Sequence, residues 1–417
     1  RMPDFEAACR SPRNAGSVGY DFYRGAFLSY SGYHSMARIL KLMNASLGFT
    51  WSAEFMSGLW NKDMTGKSRI SDDHMRFMAR CALAHGCKAL SWFMFHDRDT
   101  WGDTPCSSHA HPRPSLDVLR DTLRLTHEAI RDWDRLEPLA DLGIAYEPTQ
   151  HLHTHLGDPT PCSDNELHVG TPTIAGVEAG VATREYEGLF RLVEQAGLQA
   201  GVIDLDHDPA RLERYPVVLL PGSPIIGAAA AEALRAYIHG GGVLIISGTW
   251  PAVDQVGKPL RFLGLDRPHD DAQSVFIDLG AGQVVWRPDP VAQEPPEKER
   301  LEHAAWLAEQ IAHRVPRAHA RLTLAQEMAW IDWKDGGTGT YEQPRNLGSA
   351  VLQTSPEGER VLFALNHYPD AARFTVTLER DPARRLVCLD TGRVIEPEDG
   401  RFPLDLDRKS AAVFRVE

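Results

Sequence analysis

Thr50-Trp51-Ser52-Ala53-Glu54-Phe55-Met56-Ser57-Gly58-Leu59-Trp60 places one carboxylate at the end of a short apolar strand, just before a small-residue turn and a tryptophan. In (β/α)8 barrels the reacting groups sit at the C-terminal ends of the strands, and aromatic rings beside an acid there can stack on a sugar. Glu54 is therefore a candidate catalytic carboxylate. The plainer reading makes it the first residue of a loop, held in a salt bridge.

The same form recurs on both sides. Upstream, Ser17-Val18-Gly19-Tyr20-Asp21-Phe22-Tyr23-Arg24 alternates apolar and polar residues; downstream, Ala89 to Phe95 is an apolar run that ends in His96-Asp97-Arg98-Asp99-Thr100-Trp101-Gly102. Helical periodicity fills the gaps, from His34 to Leu47 and from Asp72 to His85, the second opening on Ser71-Asp72-Asp73 with a capping serine and acids in its first turn. Pro114 to Leu136 reads as one long amphipathic helix. The order βαβαβα has the connection lengths of a parallel barrel.

At 417 residues and 43% hydrophobic content the chain should form about three domains, each with its own core. A net charge of −13 argues against nucleic acid or an anionic membrane surface as partner, because both need a basic patch. No apolar run reaches membrane-spanning length, and a cytoplasmic location is expected. The six cysteines have no disulfide-scaffold or zinc-ribbon spacing, so free thiols are expected. Cys106 with His109 and His111, or the alternating His151, His153 and His155, offer partial ligand sets without a complete one, so no metal and no other cofactor is expected.

From about Leu139 the pattern changes. Strands at Leu142–Tyr146, Gly201–Leu205, Val217–Leu220 and Gly242–Ser247 alternate with helices at Thr183–Ala196 and Ala228–His239, as in a doubly wound, flavodoxin-like α/β domain with a parallel sheet. A connector rich in Pro, Glu and Lys runs from Pro288 to Arg300, followed by a helix to Arg314. Short alternating strands at Leu347–Gln353, Arg360–Leu365, Arg373–Leu378, Arg385–Leu389 and Ser410–Val416 predict a small antiparallel β-domain. The expected boundaries are 1–138, 139–287, 288–316 and 317–417.

The run Glu54-Phe-x-x-Gly-x-Trp60, and Phe93-Met-Phe-His96 followed by Trp101-Gly102, resemble the last two barrel strands of β-galactosidases of glycoside hydrolase family 35, while the downstream domains look more like family 42. Tyr215-Pro-Val-Val-Leu-Leu-Pro-Gly222 with Leu234 to Gly242 looks like the trimer-forming middle domain of family 42, which is itself similar to class I glutamine amidotransferases. That amidotransferase chemistry needs a cysteine in a tight elbow, and Ser223 followed by Pro224 stands there instead.

The resemblance implies a retaining β-galactosidase with Glu54 as nucleophile, and a trimer as the assembled state. By position, Tyr20, Asp21, Tyr23, His96 and Asp97, at or near strand ends, are candidate sugar-binding residues, and Trp51, Trp60, Trp92 and Trp101 are candidate stacking rings, with barrel core as the other reading of the tryptophans. Asp97-Arg98-Asp99 replaces the family 35 Gly-Gly-Thr run, and Arg98 is compatible with an acidic sugar. The family's general acid/base follows an Asn at the end of the fourth strand, and no such strand precedes Tyr20. The chain, starting at Arg1, is thus expected to be the C-terminal part of a larger catalytic unit, completed by a segment that carries the first half of the barrel. The competing expectation is an assembly subunit in which Glu54 does no chemistry, or a glycosidase for another β-linked sugar.

Overall fold

The computed structural model describes residues 19–23, 28–60, 70–98, 101–150, 173–174, 177–178, 180–269, 273–293, 297–326, 331–333, 340–342 and 347–417. They fall into two compact units. One is Ala140–Pro316, and the other combines Ala7–Leu139 with Arg317–Glu417.

In the second unit, β1 (Asp21–Phe22), β2 (Trp51–Met56) and β4 (Ala89–Phe93) form a three-stranded parallel sheet in the order β1-β2-β4. The helices between them are α1 (Tyr30–Leu47) and α2 (Asp72–Ala84). Each is started by a serine: Ser29 accepts from the Gly32 N–H at 3.1 Å, and Ser71 accepts from the His74 N–H at 3.2 Å. Gly48, at φ 69°, closes α1 in the left-handed conformation that glycine adopts without strain. The expected third helix is shorter than its periodicity predicts. It runs as α3 (Ser115–Arg124), continues as a π-turn over Leu125–Ala129, and stops. The backbone N–H groups of Arg131 and Asp132 donate to the Glu359 carboxylate at 3.0 and 2.9 Å, and this tertiary partner replaces the next helical turn.

The chain then enters β6 (Glu137–Pro138) and crosses into the other unit. There β7 (Leu142–Tyr146), β8 (Ala200–Asp204), β9 (Val217–Gly222), β10 (Val243–Gly248), β11 (Val275–Leu279) and β12 (Gly282–Arg287) make one sheet of order β8-β7-β9-β10-β12-β11. Five strands are parallel, and β11 runs antiparallel to β12 as an edge hairpin that the expected all-parallel sheet did not include. Helices α4 (Gly180–Gln195) and α5 (Ala228–His239) alternate with the strands, and α6 (Glu297–Ile311) starts inside the segment read as connector. Val218, Leu220, Leu244, Ile246, Trp250, Phe262 and Trp286 fill the core, where the Trp286 indole N–H donates to the Gly248 carbonyl at 2.8 Å.

Residues 317–417 do not stand apart as a domain of their own. A six-stranded antiparallel sheet contains β14 (Gly348–Thr354), β15 (Arg360–Asn366) and β20 (Ser410–Val416), and β6 is its edge strand through pairing with β14. The Gln353 amide donates to the Leu83 and Ala84 carbonyls at the end of α2, both at 2.8 Å, and Arg80 grips Asp390 and the Ala411 carbonyl. Buried groups paired so closely make the first strands and the last sheet one body.

Three histidines in this body must be neutral. The His74 Nε2 accepts from the Leu28 N–H, which only an unprotonated nitrogen can do. Burial, aided by Lys409, pushes His74 down to about 4. The same burial pushes His85 and His367 well below 6.5, with Lys41 and His367 adding to the shift of His85 and Lys409 to that of His367. Their folded values lie below the unfolded one, so the unfolded chain takes up protons first as the pH drops. Stability is complete above about 6.5 and is lost progressively below it. For three groups the slope approaches about 4 kcal/mol per pH unit between roughly pH 6 and pH 5. Urea unfolding followed from about pH 7.5 to about pH 5 is expected to show a steep fall in midpoint, and a constant midpoint would refute the assignment.

Candidate active site

Parallel pairing sets Asp21 opposite Glu54 and Phe22 opposite Phe55. Successive side chains of a strand point to opposite faces, so this register separates the acids from the aromatics. Phe22, Phe55 and Trp92 form one row, with ring centroids 6.2 and 5.3 Å apart, and Phe22 and Phe55 are buried. Between β2 and β4 the register slips by one residue: Ser52 pairs with Leu90 and Phe55 with Trp92, leaving Ala53 and Glu54 across from Ser91 alone. Such a bulge re-aims a side chain at the end of a strand.

Glu54 is met by two groups. The Tyr23 hydroxyl donates to Oε2 of its carboxylate. The Asp21 carboxylate accepts from the Glu54 backbone N–H and lies close enough for the two charges to oppose each other. Desolvation, followed by the Glu54 charge, raises Asp21 above its ordinary value. Tyr23 is also raised, by desolvation first, then by its hydrogen bond to Glu54 and the neighbouring negative charges, and it remains a donor throughout the neutral range. Aromatic rings complete the wall: Phe93 lies edge-on to Tyr23 at 6.1 Å, and Trp101 contacts Tyr23 at 5.9 Å and Phe93 at 5.3 Å.

The nominated residues thus divide. Glu54, Asp21, Tyr23 and Trp101 come together. Trp92 belongs to the row behind them. Tyr20 sits 5.0 Å from Phe22 and ties β1 to β2 through its backbone, donating to the Trp51 carbonyl at 3.2 Å and accepting from the Ser52 hydroxyl at 2.9 Å. Trp51 begins β2, at the opposite end from Glu54, and packs against Gly19. In β3 (Leu59–Trp60), Trp60 is the backbone partner of Trp101 in β5 (Trp101–Gly102). His96 is exposed and bridges to Cys106. Asp97 turns inward to Arg113 and Thr104, and the Arg113 guanidinium holds it at about 2.

Phe93 and Arg113 were not nominated. Phe93 reads as strand core, and Arg113 lies sixteen positions from Asp97 with no local signal linking them. Cys106, His109 and His111 do not converge: among the described residues no group of three or more His, Cys, Asp or Glu side chains is arranged to hold a metal. His151, His153 and His155 lie outside the described residues. No described helix is long and apolar enough to cross a membrane.

Residues 175–266 match the family described as "GLMA-like, second domain". No curated protein sequence matches the chain. Among solved structures, the chain is similar to Gan42B, a GH42 β-galactosidase, with a TM-score of 0.66 and 13% identity over 95% of this chain and 58% of that one. The β-galactosidase of Bacillus circulans sp. alkalophilus gives a TM-score of 0.66 at 14% identity, covering 96% of this chain and 60% of that one. A GH42 exo-carrageenase of Bacteroides ovatus gives 0.54 at 12% identity, with 96% and 47% covered. The fold is therefore that of these glycoside hydrolases over part of their length, and the chain spans about three fifths of the two β-galactosidases.

Gly58 sits where the turn after β2 meets the loop that carries Trp101. A Cβ there would lie 2.5 Å from the Thr104 methyl and 3.0 Å from the Gly102 carbonyl oxygen. Thr104 cannot swing aside without giving up its hydroxyl contacts to Asp97 and Cys106. Gly58→Ala is expected to destabilise the chain by about 1–3 kcal/mol through overpacking. Unchanged thermal and urea unfolding would show that the two turns are not in contact.

Proposed function

We propose that the chain is the C-terminal part of a retaining glycoside hydrolase that acts on terminal β-galactosides, with Glu54 as the nucleophile. The observation that carries this reading is the Glu54 carboxylate near the C-terminal end of a parallel strand, oriented by the Tyr23 hydroxyl, whose own ring rests on Phe93 and Trp101. Retention requires a second carboxyl about 5 Å from the first, which protonates the leaving oxygen and then activates water. Asp21 shares the strand level of Glu54 and holds its backbone, a place suited to orienting the nucleophile or a sugar hydroxyl. The acid/base is assigned to a segment outside this chain that supplies the other barrel strands, since three parallel strands are described here and a closed barrel of this kind has eight. Alignment over about three fifths of the matched β-galactosidases supports that division.

In the proposed reaction Glu54 attacks the anomeric carbon while the acid/base protonates the departing oxygen. Water, deprotonated by the same acid/base, then releases the sugar with its configuration retained. Tyr23, a neutral donor across the neutral range, holds Glu54 for attack. The α/β unit is proposed to join copies into a trimer. Its edge strand β11, with Phe276 exposed, supports such a role.

Glu54→Gln, studied in the assembled catalytic unit, is expected to lower kcat by on the order of a thousand-fold or more with folding and sugar binding retained. Glu54→Gly should be partly rescued by azide, with release of a glycosyl azide of inverted configuration. A variant that loses stability but keeps its specific activity would make Glu54 structural. Labelling of a different residue by a 2-fluoro galactoside would move the nucleophile elsewhere. Light scattering at micromolar concentration is expected to show a trimer, and a single unit would remove the assembly role.

A further inference from the structure

In the loop after β4, Asp97 is paired internally. Asp97 Oδ1 accepts from Arg113 Nη1 at 2.8 Å, Oδ2 accepts from Arg113 Nη2, and Oδ1 also accepts from the Thr104 N–H at 3.2 Å, with the Thr104 hydroxyl 2.8 Å away. Arg113 Nη1 donates in addition to the Thr104 carbonyl at 2.8 Å, and the Arg113 backbone N–H to that of Pro105 at 2.8 Å. The base of the loop is closed by the backbone: Asp97 N–H to the Cys106 carbonyl and Cys106 N–H to the Phe95 carbonyl, both 3.0 Å. A two-pronged guanidinium–carboxylate contact fixes orientation as well as distance.

What this clamp holds is Trp101. Arg98 and Trp101 exchange backbone hydrogen bonds at 3.1 and 2.6 Å, and the buried indole of Trp101 rests on Tyr23 and Phe93. Tyr23 in turn donates to Glu54. A path therefore runs from Arg113 to Asp97, along the backbone to Arg98, across its hydrogen bonds to Trp101, and through Tyr23 to the Glu54 carboxylate.

We propose that Asp97 and Arg113 form a latch that positions Trp101, and through it Tyr23 and Glu54, an inference that rests on Glu54 being the nucleophile. Both are positioning residues and touch no reacting atom. An exposed ion pair alone contributes little to stability. This one acts by geometry: it fixes a ring that forms part of the wall beside the nucleophile, where a displacement of about 1 Å can cost on the order of 100-fold in rate. The Arg113 contact keeps Asp97 ionised across the neutral range, so the latch stays closed at working pH.

The latch is tested in the full chain assembled into its catalytic unit, with Asp97→Asn, Arg113→Lys and Trp101→Ala. On nitrophenyl β-galactoside, Asp97→Asn is expected to lower kcat by about 10- to 100-fold with KM changed by less than about threefold. The Asp97→Asn, Trp101→Ala double variant should lose no more than Trp101→Ala alone, because both act on one path. Additive losses, or an unchanged kcat in a less stable protein, would overturn the latch. A second readout does not depend on turnover: amide exchange in peptides covering 95–98, 101–106 and 20–23 should accelerate in Asp97→Asn and Arg113→Lys, with β9 unaffected. Absence of acceleration at Tyr23 overturns the latch even in an active enzyme. A wild-type assembled catalytic unit that cleaves no glycoside but shows the coupled exchange would sink the proposed function and leave the mechanical link standing.

Discussion

Every feature of the site depends on the in-register parallel pairing of Asp21 with Glu54 and Phe22 with Phe55. A one-residue slip of either strand would exchange the faces, burying a carboxylate among Phe22, Phe55 and Trp92 and sending an aromatic into the site. The apolar row pins the register, because burying those rings outweighs any alternative pairing that would expose them. The bulge at Ala53 and Glu54 then lets the acid leave the ladder at the strand's end without disturbing the row behind it.

Two carboxylates side by side repel, and the surroundings handle the three nearby acids differently. Glu54 keeps a strong neutral donor in Tyr23, which orients it without cancelling its charge. Asp21 receives the Glu54 backbone N–H and is pushed up by desolvation first and then by its neighbour's charge. Asp97 is cancelled outright by Arg113. Three acids within one sheet end therefore have three distinct chemical characters, decided by partners rather than by residue type.

The same logic of partners explains why the first strands and the last sheet are one body. Arg80 and Gln353 find their hydrogen-bond partners 310 and 270 positions away, the His367 ring packs on Tyr30, Tyr33 and Phe77 far upstream, and each buried polar group is costly to leave unpaired. Loss of any one contact leaves a buried polar group behind. The sheet bearing Glu54 is thus supported by a layer whose own stability depends on neutral histidines, which ties the integrity of the site to pH through packing alone.

By itself the sequence determined the elements whose signal is local. Periodicity and the capping Ser71 located α2, periodicity located α1 although its first turn from Tyr30 was not read, and alternation located β7, β9, β10, β14 and β15 within a residue or two, because backbone preference and amphipathic pattern act over a few neighbours. It also marked Glu54, whose strand-end setting is written in eleven consecutive residues. Tertiary structure alone decided the rest. The helix from Pro114 ended early because Glu359 captured its backbone donors, and β11 with β12 went unseen because an edge hairpin leaves little alternation to read. Trp92 and Trp101 look equally suited to a sugar when read along the chain. Only strand register puts the first among core rings and the second against Tyr23, and only the fold brings Arg113 to Asp97, since such contacts depend on distance in space and leave no trace in local pattern.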